Sequence, residues 1–298
     1  MRVEGPQSYV AHEELVADAR RYPQIWRLVV GVLVVGAFTI LANFALFSVV
    51  ANQGPPTWVD GFLNGLFPVA VLVILASFVF VTMGVALAAR LLQRRALRSI
   101  IGPSSRAMRQ FVKVLVALLA LQVILLLLPP YGFGAPLVPN LAFGQWVLLL
   151  PLGLVAILIQ TSAEEILFRG YLQQSLAARF RSPWIWMLVP SVLFGFGHYT
   201  PSVAGGNAMI VAVWAMIFGL ITADLTARAG TLGPAIALHF FNNCWVILGT
   251  SMPDMLSGLA LYHWPFDSAD TASLRPWLYV DFAIMIVSWL TVRLAIRR

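Results

Sequence analysis

The chain alternates long apolar runs with short interruptions of proline, glycine and charge. The runs predict helices near residues 25–50, 66–92, 110–128, 143–168, 184–198, 208–227, 234–249 and 277–295. A helix needs roughly 20 apolar residues to cross a bilayer. The pattern therefore predicts an all-α polytopic membrane protein with eight transmembrane helices. Such spans take more than half of the 298 residues, which leaves a single membrane domain, 1–298, with little room for a soluble one. Ser182 and Pro183 supply an N-cap and a first-turn proline for the fifth run, and Gly233 with Pro234 opens the seventh. Pro190 is expected to kink the fifth helix. The mixed stretch 170–181 reads as a continuation of helix four into the cytoplasm or along its surface. There is no internal repeat, nor the paired interrupted half-helices of many transporters.

Composition agrees with the pattern and then orients it. The chain is 60% hydrophobic and 10% charged, with a mean hydropathy of +0.86, against roughly 25% charged residues in soluble domains. A net charge of +7 raises nucleic acid as a partner, but the basic residues sit in short connections between apolar runs, which argues against it. Arg20, Arg21 and Arg27 precede the first run; Arg90, Arg94, Arg95, Arg98, Arg106, Arg109 and Lys113 crowd the second connection. Arg169, Arg179 and Arg181 follow the fourth run, Arg228 the sixth, and Arg293, Arg297 and Arg298 close the chain. The alternate connections 51–65, 129–142 and 199–207 carry no Lys or Arg, and 250–276 carries only Arg275. The positive-inside rule then puts both termini in the cytoplasm. No cleavable signal peptide is expected, because the first run is too long for one. Cys244 is the only cysteine, so no intrachain disulfide forms.

Three polar patterns interrupt the apolar runs: Glu164, Glu165 and Arg169; Phe194 and His198; His239 and Asn243. A charge inside a membrane is costly, and such residues read first as a functional site. Glu165 and Arg169 are one turn apart with the acid first, the favourable order for a self-neutralising pair. Glu164 points about 100° away and is left to face another helix. Phe194 and His198, and His239 and Asn243, are each one turn apart on one face. Taken singly, a snorkelling ion pair and a structural histidine account for the first two patterns. Two strong hydrogen-bonding groups stacked on an apolar helix need partners from neighbouring helices. A turn near Arg181 would bring Glu164 and His198 to one level of an antiparallel hairpin, with 199–207 inside the protein. A straight fifth span would carry His198 to the far side.

In this order and on these helices, the patterns EExxxR, FxxxH and HxxxN resemble the CPBP family, which includes CAAX-type prenyl-protein endopeptidases and bacteriocin-processing intramembrane proteases. The resemblance covers about 143–249, the expected catalytic core, and implies an intramembrane endopeptidase. Amide hydrolysis needs an activated water, an oxyanion site and a proton for the leaving amine. A Glu in an apolar pocket suits the base and later the acid. On this reading Glu164, assisted by His198, activates water, while His239 and Asn243 hold the oxyanion, supported by Glu165, Arg169 and Phe194. No cofactor is favoured. The rival assignment is a catalytic zinc held by Glu164, His198 and His239.

Other protease signatures are absent: Val16 occupies the second histidine position after His12 and Glu13, and no G-x-S-x-G pattern occurs. Cys244 reads as a small buried side chain, and Asp224 with Arg228 as an ion pair. Gln122, Gln145, Gln160 and Asn207 read as interhelical hydrogen-bonding groups, with Gln160 placed to line the pocket. His12 and His263 are expected in exposed segments. The alternatives are a proton-coupled transporter, disfavoured by the scarcity of polar residues in runs one to three, and a non-catalytic binding or immunity scaffold. The expected partners are the lipid bilayer and a membrane-associated protein or peptide substrate, and the expected location is a bacterial inner membrane.

Overall fold

The structure, a computed structural model, describes residues 9–129 and 136–297. Arg298 and residues 130–135 of the connection 129–142 lie outside it. Every predicted run is a helix: α2 (Ile25–Ala51), α4 (Pro68–Ser77) continued by α5 (Val79–Gln93), α7 (Ser104–Leu127), α8 (Phe143–Glu165), α10 (Pro183–Gly197), α12 (Ala208–Ala229), α13 (Gly233–Cys244) and α14 (Thr271–Ile296), with the short helices α3 (Pro56–Leu63), α6 (Leu97–Ile101) and α11 (Pro201–Ala204) in the connections. Among the described residues six helices are long and apolar enough to cross a membrane, two fewer than the eight spans expected. The two that fall short are the helices of the fifth and seventh runs. α10 has 15 residues, and α13 has 12 plus five in a π-helical turn, Trp245–Gly249. At 1.5 Å per residue α10 is only about 22 Å long, below the ~30 Å hydrocarbon thickness. Ser182 stands before Pro183 as expected but makes no side-chain cap bond.

Helix four continues past its apolar part, as the sequence suggests. α8 passes into a π-helical segment, Ile166–Leu172, and then α9 (Gln173–Arg179), giving 37 residues in all. The chain turns at 180–182 and α10 runs back alongside. α12 is the central helix: half of its most apolar stretch is buried, against a third or less in the other long helices. α10, α13, α14 and the short α1 (Val10–Val16) pack on it, and α13 also lies against α7 and α8. Gly233 permits this arrangement, since a Cβ there would fall 2.2 Å from the carbonyl oxygen of Ala107 on α7. Outward faces of α2, α7, α8 and α14 expose Phe44, Val116, Leu148 and Leu294. Apolar residues in that position meet lipid rather than water.

The ends of the spans are tied by elements that hydropathy does not mark. The connection 250–276 folds back onto the bundle and buries Leu259 and Ala260. Its strands β2 (Thr250–Ser251) and β3 (Tyr262–His263) form a small sheet with β1 (Val138–Pro139) in the order β1-β3-β2. His263 is half-buried there. Asn207 is buried and donates to the carbonyls of Ser268 and Asp270, whereas most of 199–206 stays exposed or half-buried. Asp224 accepts from Arg228 Nε at 2.8 Å, as the spacing predicts, and also from the Tyr9 hydroxyl and Trp289 Nε1.

His12 corrects the expectation of an exposed segment. It is buried, with its ring 4.5 Å from that of Trp186 and Nε2 near the Gln173 amide. The reason is tertiary: α1 lies against α12 and α9 and covers their ends. Burial pushes the imidazole down from 6.5 to about 4. Below pH 6.5 the unfolded chain binds a proton that the folded one refuses, so this stability is present above 6.5 and is lost as pH falls toward 4. Between pH 7.5 and pH 5, the wild type should lose about 2 kcal/mol of unfolding free energy relative to His12→Phe, which keeps the stacking. Parallel curves for the two proteins in detergent would refute this.

Candidate active site

The Glu164 to Arg169 segment begins at the end of α8 and enters the π-helical stretch. Such insertions recur at functional sites because they re-aim side chains without ending the helix. Glu165 and Arg169 form the expected ion pair at 3.1 Å, both fully enclosed. Glu165 does more than neutralise the arginine: the same oxygen, Oε1, lies 2.8 Å from His239 Nδ1 on α13. A carboxylate oxygen that already receives a guanidinium N–H is an acceptor, so Nδ1 carries the proton and donates. That leaves His239 Nε2 to face Glu164 Oε2 at 3.5 Å. Glu164 thus faces another helix, and that helix is α13. Its Oε2 is buried and takes part in no hydrogen bond among the described residues.

The imidazole of His239 is fixed by rings as well as by charge. Phe218 on α12 stands edge-on to it at 5.1 Å, and Phe194 on α10 at 6.0 Å. Phe194 also lies under the Arg169 guanidinium at 4.6 Å and edge-on to Phe168. One aromatic side chain therefore joins the first and third patterns, and sets α10 level with the Glu-containing segment. One turn beyond, His198 packs on Phe194 at 4.5 Å and donates Nδ1–H to its carbonyl oxygen at 2.8 Å. Among the described residues no hydrogen bond or ion pair joins His198 to Glu164 directly. Asn243, one turn after His239, donates to Gln160 Oε1 at 2.8 Å, which brings Gln160 to the site's edge.

A catalytic zinc needs three protein donors in one place. Among the described residues no group of three His, Cys, Asp or Glu side chains is arranged to hold a metal ion. Of Glu164, His198 and His239, the first and last face each other at 3.5 Å, and among the described residues no hydrogen bond or ion pair joins His198 to either. As placed, these side chains do not fit a metal, and no step is derived through one. Cys244 is half-buried and is not bonded. One acidic residue went unnoticed in the sequence: Asp281, the only carboxylate in the run 277–295, lies across α13 from this site.

Residues 145–245, from α8 to the end of α13, match the family model described as type II CAAX prenyl endopeptidase Rce1-like. The matched segment holds all seven residues of the three patterns. Over 234 residues the chain is 25% identical to the uncharacterized protein YyaK of Bacillus subtilis (strain 168), covering 75% of this chain and 77% of that one. No solved structure matches the chain.

Proposed function

We propose that this chain, which matches an Rce1-like CAAX endopeptidase model over residues 145–245, is a membrane endopeptidase that hydrolyses a peptide bond of a membrane-associated protein or peptide using Glu164 and His239 as its proton-handling pair. The observation that carries this is the buried relay Arg169, Glu165, His239, Glu164, with contacts of 3.1, 2.8 and 3.5 Å. Structural ion pairs end once charge is neutralised. This one continues to the second imidazole nitrogen and to a second carboxylate whose buried Oε2 takes part in no hydrogen bond among the described residues.

In the reaction, a water bound beside Glu164 and His239 Nε2 loses a proton to this pair as its oxygen attacks the scissile carbonyl carbon. The anionic Glu165 stabilises the imidazolium that forms. The sequence reading gave His239 to the oxyanion. A ring whose Nδ1–H is spent on Glu165 has no N–H left for that task until it is protonated, so the geometry favours a base role first. The Asn243 amide, held by Gln160 at rest, is the donor we assign to the oxyanion. The C–N bond then breaks, and the same pair returns the proton to the leaving nitrogen. His198, with Nδ1 committed to Phe194, keeps Nε2 for substrate or for the attacking water. Both termini are assigned to the cytoplasm from the arginine pattern, with a bacterial inner membrane as the setting. In that setting peptide leaders, secreted bacteriocins and C-terminal sorting tails are the substrates we expect, ahead of prenylated proteins.

The test is to purify wild type and Glu164→Ala in detergent and to compare their cleavage of a membrane-peptide library by mass spectrometry. Wild type alone should produce new termini, and should continue to do so after exhaustive chelation. Equal cleavage by both would end the assignment of Glu164. Activity lost to chelation and restored by zinc would reinstate the metal.

A further inference from the structure

The relay leaves one intramembrane acid unexplained. Asp281 lies ten residues into α14, within a span long enough to cross the membrane. An ionisable residue there calls for a function and a named partner, yet no hydrogen bond or ion pair reaches its carboxylate among the described residues. It borders a cavity of about 140 Å³ between α7, α12, α13 and α14. Three further polar side chains line it, Gln122, Asn242 and Ser288, and its apolar wall includes Phe218, Phe241 and Trp245.

Size, charge and wall chemistry together select an occupant. Small-molecule pockets run from roughly 300 Å³ upward, so this volume suits one side-chain-sized group. A carboxylate with amide and hydroxyl oxygens beside it favours a cation over an anion. Magnesium and calcium require six or more oxygen ligands, which a cavity walled by three aromatic residues does not offer. Aromatic faces do attract organic cations, more strongly where water is excluded, and they pack against the methylenes that carry an ammonium group.

We propose that the Asp281 cavity is a binding subsite for a primary alkylammonium group, with the carboxylate holding the charge and the aromatic wall holding the alkyl chain. Two features connect it to the active site. Phe218 forms part of its wall and touches the His239 ring. The Asn242 amide donates to Asn243 Oδ1 at 3.3 Å. The ammonium has two sources, a lysine of the substrate or a free amine, and only the first rests on the protease reading.

Binding is tested without activity, by titrating the detergent-purified protein with n-butylammonium and with n-butanol while following the thermal midpoint. Wild type should be stabilised saturably by the amine and not by the alcohol. Asp281→Asn should bind it roughly tenfold more weakly or worse, the loss expected for removing a charge-assisted contact. Gln122→Leu, on a different helix, should weaken binding as well, and it serves as the reporter if Asp281→Asn does not fold. No stabilisation of wild type by the amine, or equal stabilisation by amine and alcohol, overturns the subsite. The source is read from the peptide library. A lysine preference at one position that Asp281→Asn abolishes identifies substrate lysine. Retained amine binding with no lysine preference identifies a free amine.

Discussion

Glu164→Gln should lower the cleavage rate by about 10²- to 10⁴-fold, the usual contribution of a positioned general base, while leaving the protein as stable as wild type or more so. Both halves of this expectation come from one observation. Glu164 Oε2 is buried, takes part in no hydrogen bond among the described residues, and faces His239 Nε2 at 3.5 Å. A desolvated carboxylate in that position burdens the fold, and a neutral amide of the same shape lightens it. Catalytic groups commonly carry this conflict between activity and stability. Cleavage rate and thermal midpoint, measured on one preparation, check it. A variant that loses activity and also unfolds early would assign Glu164 to structure instead.

Arg169→Met should have the largest effect on stability. Removing one member of a buried ion pair strands the other, at a cost of about 3–5 kcal/mol. Glu165 would be left fully enclosed, with only the His239 N–H to satisfy its charge. The double variant Glu165→Gln, Arg169→Met should recover most of that loss, because no buried charge remains. It should not recover activity, since the imidazolium of His239 then lacks its anion. A neutralised aspartate beside a catalytic histidine elsewhere lowers turnover by about 10⁴-fold. Recovery of both stability and rate in the double variant would show that the pair serves packing alone.

The helices were legible because each is an apolar run closed by proline, glycine or charge, and the Glu165–Arg169 and Asp224–Arg228 pairs because i, i+4 spacing fixes which side chains share a face. Partners from other helices were not legible in the same way. Spacing says that Glu164 is free and that His239 needs a partner, but their meeting depends on α8 lying against α13. Gly233 seats α13 against α7, and the Phe194 and Phe218 rings that hold the His239 imidazole are ones hydropathy scores as ordinary core. His12 was misjudged for a related reason: a seven-residue helix in a polar stretch has too little pattern to reveal that it caps the bundle. Asp281 was overlooked because no motif contains it, although an acid alone in an apolar run was signal enough.

The shortness of α10 has a consequence for the surrounding lipid. At about 22 Å it falls several ångströms short of the hydrocarbon layer, and its outer face bears Trp184, Leu193 and Phe196 exposed along that length. Hydrophobic mismatch of this kind is relieved by drawing the bilayer inward beside the short element. The dimple so formed would lie next to His198, thinning the lipid on the α10 side of the bundle.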